Sequence, residues 1–186
     1  MRIFITDQQR QPEWRMIIAQ LSPADKVIIR DYAHPKRSEL AMDIAKACKN
    51  RRIACAIAGD WRLAWQLNIG LHWPSSLARG KSVPVRPGQL QTMAVHNEQE
   101  LARAIIHKVD YALISPVFET KTHADIKPIG PRRFMKLAMR ARAGGVSPVA
   151  LGGISIKNIH RLRPILGRRP NIAAIDGIDT LSSLYF

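Results

Sequence analysis

The chain has 186 residues and a mass of 20.9 kDa; 46% of its residues are apolar, and 29 Lys and Arg against 14 Asp and Glu leave a formal charge of +15. That length suits one hydrophobic core better than two, and the charge favours anionic partners: nucleic acid, phosphorylated metabolites or acidic membrane surfaces. Cys48 and Cys55 are too few and wrongly spaced for a thiolate metal site or a disulfide framework, the N-terminus lacks a signal-peptide core, and no apolar run approaches the ~20 residues that cross a bilayer, so the composition points to a soluble protein of a reducing cytoplasm.

Short β-branched apolar runs alternate with helix-period segments along the chain. A first strand is predicted over 3–6, ending at Asp7, and a helix from about Glu13 to Leu21. A second strand over 26–30 precedes a helix that Ser38 would cap, with Leu40, Ala41, Ile44, Ala45 and Cys48 on one face. The third strand is 53–58, and Asp60 caps the helical segment after it. Residues 69–73 read as strand four, and the Pro- and Gly-rich 80–88 as an irregular crossing. Strand five is 91–97, where Asn97 and Glu100 form a capping pair ahead of the next helix. Strand six (111–115), a helix with Pro131 in its first turn, strand seven (148–153), a helix over 156–166 and strand eight (172–177) complete the order.

Eight strands with a helix or loop between successive pairs describe a (β/α)8 TIM barrel spanning 1–186, with an open doubly wound sheet as the alternative. The chain is short for that architecture, and only about nine residues follow strand eight, so the final helix is expected to be reduced or missing. Residues just past each strand would gather on one rim. That rule selects Asp7, Arg30 to His34, Gly59, Asp60, His72, Trp73, His96, Asn97, Thr120 to His123, Gly152, Gly153, Asp176 and Gly177.

Two features of this rim suggest anion binding. The stretch LISPVFETKTHADIKPIG runs from an apolar strand into a hydroxyl-rich, cationic loop. The Gly152–Gly153 pair lets backbone N–H groups approach an anion, and the positive end of the helix predicted after it would add to the attraction. On residue types alone, the glycines equally relieve crowding at a strand end. His72 and His96 read either as acid–base groups at the rim or as structural histidines. His34, His107 and His160 read as surface residues, while Trp61, Trp65 and Trp73 read as core or as an interface with another subunit, so a homo-oligomer is compatible with the sequence. The basic clusters KNRR, RRF, RARAGG and RLRPILGRRP fall in different segments, which reads as solvated helix faces and disfavours a nucleic-acid surface.

In order along the chain, RIFITD, VIIRDY, GLHW, AVHNEQELARA, DYALISPVFETKTH and SPVALGGI resemble the motif blocks of the thiamine phosphate synthase family and its relative, the thiazole tautomerase; the resemblance runs from Arg2 to about Ile178. The family's fold is a (β/α)8 barrel. The resemblance implies a magnesium-using transferase of thiamine biosynthesis. Its substrates are phosphorylated small molecules, a hydroxymethylpyrimidine pyrophosphate and a thiazole phosphate, which it joins with release of pyrophosphate. By position it assigns Arg30 to the pyrophosphate and Thr120 and Thr122 to the hydroxyls of the strand-six loop. His123 stands in the place of a family Lys, and Gly152 and Gly153 match the glycine pair that receives the thiazole phosphate. A guanidinium fork, hydroxyls and backbone amides are groups from which phosphate oxygens accept.

The departures from the family pattern are equally specific. Tyr32 replaces a Lys. Ala58 and Gly59 stand where Asn-Asp would hold magnesium, with Asp60 one step later, and HWPSSLARG lacks the second expected carboxylate. Ala94 replaces a Ser, Asp176 brings a carboxylate to the thiazole-phosphate side, and Pro116 stands where the tautomerase has its catalytic His. The expectation is therefore a family member without the protein carboxylates of the metal site. Beside the synthase reaction stand two alternatives: a phosphorylated-ligand-binding member that has lost or changed catalysis, and a basic nucleic-acid-binding protein on a reused barrel.

Overall fold

All eight apolar runs become strands of one closed parallel barrel, each paired with the next in sequence and the last with the first. A computed structural model describes residues 1–75, 86–120, 127–167 and 171–174. The strands are β1 (Arg2–Ile5), β2 (Lys26–Ile29), β3 (Ala54–Ala58), β4 (Gly70–Trp73), β5 (Gln91–Val95), β6 (Tyr111–Ile114), β7 (Ser147–Leu151) and β8 (Ile172–Ala174). The helices are α1 (Trp14–Gln20), α2 (Arg37–Asn50), α3 (Trp61–Leu67), α4 (Glu98–Ile106), α5 (Gly130–Ala143), α6 (Ile156–Ile159) and α7 (Arg163–Leu166), the last two separated by a 3₁₀ turn, His160–Leu162. Pairing of Ile3 with Ala173 and of Phe4 with Ala174 closes the sheet and excludes the open doubly wound alternative. The expected reduction of the final helix falls on residues outside those described.

Alternation along the strands splits the core in two. Ile3, Ile5, Ile28, Ala58, Leu113, Val149 and Ala173 pack together inside the barrel. Their neighbours Phe4, Val27, Ile29, Ile57, Leu71, Met93, Val95 and Ile114 face outward against apolar helix residues such as Ile17, Ile44, Leu101, Phe134 and Leu137. Strands buried on both faces read as continuous apolar runs, which is why they stand out in the sequence. Among the described residues no helix is long and apolar enough to cross a membrane.

Two helix starts differ from expectation. Ser38 does not cap α2: the helix begins at Arg37, with Lys36 at the cap and no side-chain bond there, so Ser38 is already its second residue. The helix expected over 156–166 is three short pieces; Pro164 lacks the N–H that a continuous helix would use, and the backbone tightens ahead of it. The caps at Asp60 and Asn97 form as expected, their carboxylate and amide oxygens accepting from Leu63 N–H and Glu100 N–H at 2.9 Å.

At the N-terminal end of the strands, opposite the rim, Asp25 is buried and its two oxygens accept from Arg2 N–H (2.8 Å), Arg2 Nε (3.2 Å), Arg2 Nη2 (2.7 Å), and the N–H and hydroxyl of Ser22 (both 2.9 Å). Burial would raise its pKa, but these donors, the Arg2 side chain foremost, outweigh burial and hold it at about 2. Its stabilising contribution is thus complete above pH ~4 and is lost as pH falls through about 2. Asp25→Ala should lower unfolding stability by about 3 kcal/mol at neutral pH, read from urea denaturation. A loss below about 0.5 kcal/mol would show that the network carries no such weight.

Candidate active site at the barrel mouth

The C-terminal ends of β1 and β2 are laced together by polar groups. The Thr6 hydroxyl donates to Asp31 and accepts from Arg30 N–H at 3.1 Å, while Gln8 N–H donates to the other Asp31 oxygen at 2.6 Å. Asp7 and Arg30 follow the inward-facing Ile5 and Ile28 by two residues, so both turn to the mouth, where Arg30 Nη2 lies 2.5 Å from Asp7 Oδ2. These loops surround a cavity of about 360 Å³ lined by Asp7, Gln8, Arg30, Tyr32, His34 and Pro35. Arg30 is therefore at the mouth as expected, with one of its nitrogens committed to a carboxylate. Among the described residues the buried Gln8 amide nitrogen has no partner.

His72 and Thr92, side by side on β4 and β5, face the barrel interior, His72 Nδ1 lying 2.7 Å from the Thr92 hydroxyl. Burial, and secondarily the positive charge of Arg30, press the His72 pKa down to about 4, so the ring is neutral at physiological pH. His96 is exposed at the end of β5: its N–H donates to Glu100 Oε2 at 2.7 Å, and its Nδ1 lies 2.9 Å from the Ser115 carbonyl oxygen and 3.3 Å from the Ser115 hydroxyl. Trp73 does not reach the rim. It is the last residue of β4 and by alternation points outward, where its Nε1 donates to Gln91 at 3.0 Å and its ring stacks on His107 at 5.2 Å. That stack also makes His107 a packing residue and not a free surface one.

The β6 and β7 loops are joined backbone to backbone. Val117 N–H donates to Leu151 O (3.0 Å) and Phe118 N–H to Gly152 O (3.1 Å), just after the cis Ser115–Pro116 bond. Asn158 Nδ2 donates to Gly153 O at 2.8 Å and its Oδ1 accepts Ser155 N–H at 2.9 Å, completing a capping box on α6. With both glycine carbonyls turned into the protein, the trans peptides direct the N–H groups of Gly153 and Ile154 the other way. Gly153, at φ +64°, packs directly against the backbone of Phe118 and Glu119. Thr122 and His123, and likewise Asp176 and Gly177, lie outside the described residues. The helix-end attraction expected after the glycines is weak, because α6 is a single four-residue turn.

Sequence reasoning missed Arg37, Ser115 and Asn158. Arg37, at the first residue of α2, reaches the end of β3: Nη2 donates to Ala58 O at 2.6 Å and Nη1 stands 3.6 Å from Asp60 Oδ2. Its guanidinium also lies over the Tyr32 ring, 5.3 Å from the centroid. Asp60 Oδ1 is the cap of α3, so that carboxylate is engaged at both oxygens. Among the described residues no three His, Cys, Asp or Glu side chains stand together as metal ligands. The groups at the end of β3 thus do not fit a magnesium ion: neither Ala58 nor Gly59 has a carboxylate, and a guanidinium fills the space.

A family model for thiamine monophosphate synthase matches residues 3–178. A thiamine-phosphate synthase of Staphylococcus carnosus is 25% identical over 148 residues, covering 78% of this chain and 65% of that protein. One from Streptococcus pneumoniae is 26% identical over 126 residues, covering 67% and 60%. The chain thus spans no more than about two thirds of the length of either relative. A thiamine phosphate pyrophosphorylase structure from Pyrococcus furiosus shares the fold, with a TM-score of 0.73 at 19% identity over 98% of this chain and 90% of that one. With the closed barrel and a match across nearly its whole length, this chain belongs to the thiamine monophosphate synthase family.

Proposed function

We propose that this chain, as one cytoplasmic TIM-barrel domain, joins a hydroxymethylpyrimidine pyrophosphate to a thiazole phosphate and releases pyrophosphate. The observation that carries the reading is the glycine pair of the β7 loop, packed on the β6 loop with both carbonyls tied back, which turns the N–H groups of Gly153 and Ile154 the opposite way. Thr120, Thr122, His123, Gly152 and Gly153 would hold the thiazole phosphate, and Arg30 the pyrophosphate. The step forms a bond to the thiazole and breaks a carbon–oxygen bond to pyrophosphate, so negative charge grows on the leaving group. The protein's task is to orient both substrates and stabilise that charge. The family membership and the names of the relatives support this activity over nucleic-acid binding. A second reading, a phosphorylated-ligand binder with altered chemistry, is favoured by the Arg30–Asp7 ion pair, which occupies part of the guanidinium.

Purified protein given both substrates should release pyrophosphate, and Arg30→Gln should slow that release at least about tenfold, the loss of one charge-assisted contact. If folded protein binds the thiazole phosphate and releases no pyrophosphate, with or without magnesium, the second reading takes the place of the first.

A further inference from the structure

Position 37 carries a charge that the function above does not use. The Arg37 side chain is only 17% exposed and is fixed by three elements: the Ala58 carbonyl at the end of β3, the Asp60 carboxylate at the cap of α3, and the Tyr32 ring after β2. Tyr32 stands where the family pattern has an ammonium, so the aromatic face in its place carries a guanidinium. Among the described residues the buried Arg37 Nε has no acceptor. The planar fork of a guanidinium matches phosphate oxygens. At the same point of the barrel a divalent cation would find no carboxylate on Ala58 or Gly59, an Asp60 whose Oδ1 caps α3, and a guanidinium 3.6 Å from its Oδ2.

We infer that Arg37 takes the electrostatic place that a divalent cation fills in this family, so that the diphosphate of the ligand is held at the mouth by Arg37 and Arg30 without a metal ion. The inference rests on the proposed function, since it concerns the diphosphate side of that site. It also gives Tyr32 a role: the residue that removes one cation supports another.

Inorganic pyrophosphate titrated calorimetrically into the full chain tests this, once in EDTA and once in excess magnesium. The expected result is binding in EDTA, with an affinity that magnesium changes by less than about threefold, and at least about tenfold weaker binding by Arg37→Met. Asp60→Asn keeps an N-cap but removes the competing carboxylate, and should bind pyrophosphate as tightly as the parent or more so. Binding by the parent chain only in magnesium overturns the inference and leaves the proposed function standing. So does loss of magnesium-supported binding in Asp60→Asn, which would make Asp60 a metal ligand, or unchanged binding in Arg37→Met. Absence of binding under both conditions overturns the inference and the diphosphate half of the proposed function together. Should Arg37→Met fail to fold by circular dichroism, the comparison of EDTA with magnesium on the parent chain decides the question.

Discussion

Replacing Gly153 with alanine is expected to cost about 3 kcal/mol of stability and to weaken inorganic phosphate binding by at least about tenfold. The residue sits at φ +64°, and a Cβ there would fall inside van der Waals contact of the Glu119 carbonyl oxygen and 2.8 Å from the Phe118 carbonyl carbon and oxygen. These neighbours are backbone and cannot rotate away. The β6 and β7 loops would have to part, breaking the bonds from Val117 to Leu151 and from Phe118 to Gly152. Gly145→Ala provides the comparison: φ is +78° there but, among the described residues, no atom beyond its chain neighbours lies within 4 Å of the added carbon, so only the left-handed backbone is penalised, by about 1 kcal/mol. Urea denaturation and a phosphate titration of both variants read the two effects separately. Parental stability and parental phosphate affinity in Gly153→Ala would remove the contact between the loops as the feature that builds the site.

Stability should fall by about 3 kcal/mol as pH drops from 6.5 to about 4, because His72 must stay neutral in the folded chain. The sign follows from burial, aided by Arg30: the folded pKa lies near 4, below the unfolded value of 6.5, so between those values the unfolded chain binds the extra proton. The contribution is whole above pH 6.5 and exhausted once pH has passed through about 4, just where that of Asp25 begins to be lost. Urea midpoints at half-unit pH steps would trace two successive losses. His72→Gln should erase the upper one, and Arg30→Gln should shrink it by removing a charge that opposes protonation. An equal slope between pH 4 and 6.5 in His72→Gln would assign the effect to other groups.

The barrel was legible because its strands are buried on both faces and its helices are not. Val27 to Ile29 or Ala112 to Ile114 read as unbroken apolar runs, while α2 carries its apolar residues on one face. Local capping was legible where the capping side chain is its own signal, as at Asp60 and Asn97. It failed at Ser38, which lies one residue inside a helix that begins at Arg37; after Ser155 it was the continuity of the helix that failed, because Pro164 interrupts the hydrogen-bond ladder. The rim rule named Arg30, whose guanidinium stands at the mouth, but misplaced Trp73, whose direction is set by alternation within β4. Arg37 was invisible for a different reason: its main partner is the carbonyl oxygen of Ala58, 21 residues away, and a carbonyl belongs to every residue alike. The same holds for Ser115, whose link to His96 depends on the register of β5 against β6.

That link to His96 fixes a tautomer. A carbonyl oxygen can only accept, so the ring nitrogen 2.9 Å from Ser115 O must be the one bearing hydrogen, and the neutral imidazole is left with its lone pair on Nε2. A neutral ring so held offers Nε2 as an acceptor, which suits a group that donates. The strand ends therefore carry polar groups of both kinds, with a guanidinium donor just past β2 and, in the neutral ring, an imidazole acceptor just past β5.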